Sequence, residues 1–303
     1  MTKAVVIGLG TISVVHLAAI EALDGVELAG TANRDYRDVL DRTRPDVAHI
    51  CTPHDQHADI VIDCLERGVN VLVEKPLAHT VEEAERVIAA AGRHPDLKVG
   101  VVLQNRYNLA VQAARDLIKS HSARGGSAIV LWHRDQSYYD AAPWRGQRRR
   151  SGGGVLINQA IHTLDLLEWL LGEVVDVRGG VGHFGTTRTD VEDTGQALLT
   201  HAGGATSVFF ATTTNVTDSP VTIEISTDDA TLTIRGDLTI DWAGGRTEII
   251  RERIPTTGKA YWGASHEALI ADFHRTLHDP EPFWIGPQEG ARCLRLVHRI
   301  YDL

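Results

Sequence analysis

The sequence is short of cysteine, lysine and long apolar runs. Its three cysteines, Cys51, Cys64 and Cys293, show no Cys-x-x-Cys spacing in 303 residues. A scattered, odd-numbered set argues against a disulfide framework or a paired-cysteine metal centre, and reads as reduced, mostly buried thiols of a cytoplasmic protein. No uncharged apolar run approaches the roughly 18 residues of a membrane span. Residues 1–8 lead straight into a strand without a charged region and long apolar stretch, so no signal peptide is expected. Cations are the minority charge, 30 Lys plus Arg against 40 Asp plus Glu, a net of -10. That balance argues against nucleic-acid or anionic-membrane partners, the short basic run at 145–150 notwithstanding. Only Lys3, Lys75, Lys98, Lys119 and Lys259 are lysines. A lysine in an apolar setting therefore stands out, because guanidinium does not supply ammonium chemistry.

What is present is an ordinary globular composition, 43% hydrophobic and 23% charged, long enough for about two domains. Short Val/Ile/Leu runs at 4–7, 26–29, 47–50, 69–73 and 98–103 alternate with helical patterns near 12–23, 56–67, 80–92 and 109–120. Such alternation predicts a doubly wound parallel sheet. Asp55 and Thr80 stand where helix N-caps belong, and 80–83 fits a capping box. The pattern then changes. A strand near 126–136 precedes a Gly-rich start and a long helix over about 154–171. Strand candidates follow at 174–184, 191–200, 205–213, 221–226, 230–234, 237–242 and 247–254, with no helix between them, which predicts an antiparallel sheet. Helices at about 264–278 and 288–302 close the chain. The expected domains are 1–122, dinucleotide-binding, and 123–303, substrate-binding and oligomerising, with the C-terminal helix packed back on the first.

Three motifs carry chemistry. Gly8-Leu9-Gly10-Thr11-Ile12-Ser13 follows the first strand and opens a helix: Gly8 permits the turn, and Gly10 lets the backbone approach a pyrophosphate seated on the helix N-terminus. A plain strand–helix turn is the alternative. The second strand ends in Asn33-Arg34 where a ribose-binding acid is usual, which leaves NAD and NADP both open with a lean to NAD. The second motif is an apolar strand ending in Glu74-Lys75-Pro76. Desolvation lowers a lysine pKa and suits Lys75 to polarise or protonate a substrate; Pro76 is suited to a cis bond. A surface lysine paired with Glu74 is the plain alternative. The third is Gly152-Gly153-Gly154 followed by Asn158, His162 and Asp165, spaced to share one face of a helix. A histidine with a carboxylate one turn away is a poised acid/base, unless it is simply a satisfied core histidine. Cys51, His54 and His57 fit loop packing better than a metal site, and no metal is expected.

Together, Gly8–Gly10, Cys51-Thr52-Pro53 with His57, Glu74-Lys75-Pro76 and the glycine-led His162-x-x-Asp165 segment resemble the glucose–fructose oxidoreductase / inositol dehydrogenase / MocA (Gfo/Idh/MocA) family over essentially the whole chain. The resemblance implies a Rossmann domain, an open mixed, mainly antiparallel sheet, and NAD(P)-dependent oxidation of a sugar or cyclitol hydroxyl. It implies that Lys75 and His162 flank the reacting carbon, with Asn158 where the family usually has Asp. Cofactor contacts are then expected from Gly8, Leu9, Gly10, Thr11, Ile12, Asn33, Arg34, Cys51, Thr52, Pro53, His57, Glu74, Lys75, Pro76 and Gln104. Substrate contacts are expected from Lys75, Arg106, Tyr138, Trp144, Arg145, Asn158 and His162, with His266 near the cleft. His16 and His49 are expected to be core or surface residues.

Two other functions remain open: an NAD-dependent glycosidase on the same scaffold, and a catalytically silent dinucleotide or sugar sensor. The exposed alternation of the antiparallel sheet predicts a homodimer or homotetramer. Between the second strand and the strand at 47 lie only 15 residues, about half of what relatives use. Either the sheet is trimmed at that edge or a stretch is missing between Asn33 and Arg34.

Overall fold

The computed structural model describes residues 1–253 and 264–303. The end of the expected strand at 247–254 (Ile254) and Lys259 lie outside them. The chain divides into two compact units, 1–104 with 264–294 and 105–253 with 295–303.

The first unit is a five-stranded sheet of β1 (Thr2–Ile7), β2 (Val26–Ala32), β3 (Val47–Ile50), β4 (Asn70–Glu74) and β5 (Val99–Val102), in the order β2-β1-β3-β4-β5. All pairings are parallel. The β-branched runs of β1, β3 and β4 are buried on both faces, which is why they lack alternation. Helices Ser13–Ala22, Tyr36–Thr43, His57–Glu66 and Val81–Arg93 make the crossovers. Thr80 caps the last of these, its hydroxyl accepting the Glu83 N–H at 3.2 Å. Asp55 is not a cap. Pro53 leads the chain into a 3-10 turn over His54–Gln56, closed by Gln56 N–H to Pro53 O, so the helix starts one residue later, at His57 behind Gln56. β2 is the sheet edge, and one eight-residue helix, Tyr36–Thr43, connects it to β3. Helix Ser265–Arg275 completes this unit: Phe273 lies where a side chain on Gly100 would stand, and Val101 N–H bonds Ile285 O at 2.8 Å.

The second unit is an eight-stranded sheet of β6 (Ala123–Leu131), β7 (Val174–Gly182), β8 (Thr194–His201), β9 (Thr206–Thr212), β10 (Thr222–Thr227), β11 (Ala230–Arg235), β12 (Asp237–Trp242) and β13 (Thr247–Ile250). Its order is β13-β12-β11-β10-β6-β9-β8-β7. Every pairing is antiparallel except β6 with β9, which is parallel. The parallel pair exists because a helical crossover, and not a hairpin, links the first strand of this sheet to the rest. β6 ends at Leu131, earlier than expected, since Asp135 caps a new helical turn by accepting Tyr138 N–H at 3.2 Å.

The boundary falls after Gln104, where 122 was expected. Helix Leu109–Ser120 packs on β11, β12 and β13 and so joins the second unit. Helix Ile161–Leu171 covers β6, and the short Val155–Asn158 turn covers β8 and β9. Among the described residues nothing covers the far face of this sheet, with Leu198 at 45% and Val208 at 54% exposure.

Candidate active site

In the first unit, the expected cofactor residues gather at the carboxyl ends of the strands. Gly8 turns the chain at φ +94°, and a Cβ there would lie 2.6 Å from the Cys51 backbone; only glycine fits. Gly8 N–H bonds Ala32 O, Leu9 N–H bonds Asn33 Oδ1 at 2.8 Å, and the Ser13 hydroxyl bonds Gly10 O at 2.7 Å. Asn33 thus shapes the turn itself through one lone pair of its amide oxygen. Nothing lies within 4 Å of a Cβ built on Gly10, and the ten-residue helix behind it has no side-chain cap. This is an uncluttered cradle in which, among the described residues, the Gly10, Thr11 and Ile12 N–H groups have no partner, and it fits a pyrophosphate. Leu9 and Arg34 are exposed and Ile12 half-buried. Gln104 is buried at the end of β5.

The β3 and β4 ends are stapled by one ring. His57 is fully buried, with Nδ1 2.8 Å from Pro76 O and Nε2 2.9 Å from Thr52 O. Both nitrogens face backbone carbonyls, and the neutral ring donates to one of them; burial holds its pKa below the ordinary histidine range. Cys51 is a buried thiol whose pKa burial pushes well up. The Thr52 hydroxyl is buried and has no hydrogen-bond partner among the described residues. Glu74 is 5% exposed. Its Oε1 meets His16 Nε2 at 3.1 Å and lies 3.6 Å from His266 Nε2, and its Oε2 accepts the Lys75 backbone N–H at 3.3 Å. Burial alone would raise its pKa; the bonds from His16 and His266 outweigh that and hold it well below the usual carboxylate range. Glu74 is therefore a buried anion held by histidines, and Lys75 follows it, half-buried, at the cis Lys75-Pro76 bond.

In the second unit the expected long helix is broken. Val155–Asn158 and Ile161–Leu171 are separate. Ala160 N–H reaches back five residues to Val155 O at 2.8 Å, a widened turn that takes Asn158 out of register with His162 and Asp165. The shared face is thus corrected: Asn158 closes one turn and His162 opens the next, both half-buried. Asp165 is also reassigned. Its two oxygens take Arg106 Nε at 2.9 Å and Nη2 at 2.6 Å, in a pair 2–3% exposed. Arg106, expected at the substrate, is committed to fixing the His162 helix. Tyr138, Trp144 and Arg145 are half-buried. Arg145 stacks over the Tyr138 ring at 4.5 Å, and the Tyr138 hydroxyl meets Gln159 Nε2 at 3.1 Å.

Sequence reasoning missed Glu192. This buried carboxylate accepts Gly154 N–H at 2.7 Å, Leu156 N–H at 3.1 Å and the Tyr301 hydroxyl at 2.8 Å. It explains the glycines, since side chains on Gly153 and Gly154 would collide with Tyr301 and the Glu192 backbone. The available signal was an acidic pair, Glu192-Asp193, directly ahead of a strand.

Two family models match the chain. One, described as the oxidoreductase family, NAD-binding Rossmann fold, matches residues 29–101; the GFO/IDH/MocA C-terminal domain matches residues 111–233. The chain belongs to the Gfo/Idh/MocA family. Within Gfo/Idh/MocA, rhizopine catabolism protein MocA of Rhizobium meliloti is 31% identical over 168 residues, 53% of this chain and 51% of its own length. Levoglucosan dehydrogenase of Pseudarthrobacter phenanthrenivorans is 26% identical over 259 residues, 75% of this chain and 66% of its own length. The chain spans about half to two-thirds of the length of these curated relatives. Among solved structures, the WlbA dehydrogenase of Bordetella pertussis, in complex with NADH and UDP-GlcNAcA, aligns with a TM-score of 0.85 at 26% identity, covering 99% of this chain and 95% of that one. Levoglucosan dehydrogenase in complex with NADH and levoglucosan shares the fold, at a TM-score of 0.87 and 20% identity with the same coverage. The Gly8–Gly10 turn lies ahead of the matched Gfo/Idh/MocA Rossmann span, and its interpretation rests on its own geometry.

Proposed function

We propose that the chain is an NAD(P)-dependent oxidoreductase acting on a secondary hydroxyl or ketone of a sugar, sugar derivative or cyclitol. The uncluttered Gly8–Gly10 cradle at the carboxyl edge of a parallel sheet carries this reading. Relatives named as dehydrogenases of levoglucosan, D-apiose and inositol support the substrate class. A nicotinamide dinucleotide, when bound, supplies the redox chemistry. Gly10, Thr11 and Ile12 would hold its pyrophosphate, with Gly8 and Leu9 shaping the turn beneath it. Cys51, Thr52, Pro53, Glu74, Pro76 and Gln104 line its approach, with His57 fixing the two loops. Arg34 would respond to a 2′-phosphate, and NAD is favoured because the solved relatives named above are complexes with NADH.

Lys75 polarises the substrate oxygen, and His162 takes the hydroxyl proton during oxidation. Asn158 bonds the substrate without adding charge. Tyr138, Trp144 and Arg145 present ring faces and a guanidinium to a polyhydroxylated ligand. The open face of the second unit's sheet, with Leu198 and Val208 exposed, supports a homo-oligomer. The cysteine usage supports a cytoplasmic setting.

The test begins with denaturing the purified protein and assaying released nucleotide, then screening sugars and cyclitols for NAD(P)H formation. Lys75→Met should lower kcat by about 10²–10⁴-fold with little change in cofactor affinity. Wild-type turnover in that variant removes Lys75 from the mechanism. Sugar release without net NADH identifies a glycosidase, and bound nucleotide without turnover a sensor.

A further inference from the structure

In a chain of net charge -10, residues 134–150 hold five arginines against two aspartates. Arg134 pairs with Asp218 Oδ1 at 2.8 Å, and Arg148 stacks over the Tyr301 ring at 4.8 Å. Arg145 differs. It is half-buried, with its guanidinium carbon 4.5 Å from the centre of the Tyr138 ring and 5.8 Å from that of Trp144. Among the described residues no carboxylate pairs with it. Arg134 stands 5.3 Å from the same Tyr138 ring. Two guanidinium groups thus share one aromatic ring, and only one of them has an anion. A ring steadies a guanidinium without neutralising it.

A second observation meets the first at Tyr138. Gln159 is 8% exposed; its Nε2 donates to the Tyr138 hydroxyl at 3.1 Å, and its Oε1 is buried with no hydrogen-bond partner among the described residues. Turning the amide over exchanges the end that meets Tyr138 and still leaves the other unmatched. A buried, unmatched amide end is unfavourable until a ligand satisfies it. A hydroxyl both donates and accepts, so it satisfies either end. Gln159 directly follows Asn158, and its backbone N–H bonds Val155 O at 3.1 Å, which fixes the amide to the turn that carries Asn158.

We propose that Arg145 and Gln159, bridged by Tyr138, form a specificity subsite for a sugar that carries an anionic group. The carboxylate or phosphate of the ligand pairs with the Arg145 guanidinium, and one of its hydroxyls bonds the Gln159 amide. This rests on the sugar-oxidoreductase reading above and narrows its substrate class to acidic sugars, uronates or sugar phosphates. Both anions accept two parallel N–H bonds from a guanidinium, a geometry that ammonium does not offer. The ligand gives Arg145 what Asp218 gives Arg134. The surplus positive charge of 134–150 draws an anion toward this segment of an otherwise acidic protein.

The closing experiment measures binding by titration calorimetry in the full-length protein with NAD present. The probes are matched sets: D-glucose, D-galactose and D-mannose, their uronates and their 6-phosphates. At least one charged probe should bind at least about tenfold tighter than its neutral parent, with an advantage that shrinks as salt rises. Preference for the uronate identifies a carboxylate, and preference for the 6-phosphate a phosphate. Arg145→Gln should bring the charged-to-neutral affinity ratio close to one, while Arg145→Lys, which keeps the charge and loses the fork, should retain part of it. Gln159→Leu should weaken charged and neutral probes together, about tenfold, at unchanged Tm. Neutral parents that bind as tightly as every charged counterpart, or charged probes that all fail to bind, overturn the subsite, and neither result needs a variant that folds. A charged probe that binds but yields no NADH counts against the dehydrogenase reading and leaves the subsite standing.

Discussion

At the scale of residues, the buried histidines govern how the first unit meets acid. His49, His57 and His274 are all held by burial below their ordinary 6.5, His274 at about 4. Unfolded chains protonate these rings as the pH falls through 6.5, while the native rings refuse the proton. The unfolded state therefore binds more protons in that window, and stability falls with falling pH from about 6.5 down to about 4. Glu74 acts in the same direction lower down: its folded pKa is depressed, so the stability it adds is present above its ordinary 4.5 and disappears as the pH drops through the folded value. Urea unfolding across this range should show a slope of roughly 1.4 kcal/mol per pH unit for each ring withheld from protonation. His49→Phe should flatten it. Stability independent of pH between 6.5 and 4 would show that these rings are protonated in the native state. None of this was legible in the sequence, because the partners are 33, 58 and 225 residues apart and an isolated histidine reads as core or surface. Glu74-Lys75-Pro76 was legible, because an apolar run breaking into charge is a local signal.

At the scale of elements, the helix carrying His162 is positioned by buried charge. Arg106 and Asp165 form a bidentate pair almost wholly out of water. Arg106→Leu strands the Asp165 carboxylate and should cost about 3–5 kcal/mol in chemical denaturation, much of it recovered in the Arg106→Leu/Asp165→Leu double variant. Equal losses in the single and double variants would show that the pair is not the source. The parallel sheet and most helix ends could be read from periodicity and capping, down to Thr80. The break after Asn158 could not. Residues 155–171 keep a helical pattern throughout, and the interruption comes from a widened backbone turn and from Glu192 gripping its start, 36 to 38 residues along the chain. A spacing rule assumes an unbroken helix, so it placed Asn158, His162 and Asp165 on one face and missed that Asp165 already had a partner.

At the scale of the whole molecule, the eight-stranded sheet keeps one face under helices and, among the described residues, leaves the other bare. Alternate residues of β8 and β9 point outward, among them Leu198 and Val208. Leu198→Glu with Val208→Glu should shift the protein toward monomer in light scattering at unchanged circular dichroism, because charges cannot be buried unpaired in an apolar contact. A wild type that is already monomeric removes this face as an interface. The expected boundary near 122 was drawn where the strand pattern changes, but a domain ends where packing changes, and helix Leu109–Ser120 packs on the later sheet.

The first unit is discontinuous, and that orders its assembly in time. A ribosome releases residues 1–104 well before Phe273 can fill the space beside Gly100, before Ile285 can bond Val101, and before His266 can reach Glu74. The nascent sheet must wait, with an edge and a buried carboxylate incompletely satisfied, while residues 105–253 of the second unit are synthesised. The residues that complete the carboxylate's surroundings are among the last made, so a stalled or truncated chain holds the cofactor cradle but lacks the contacts that finish it.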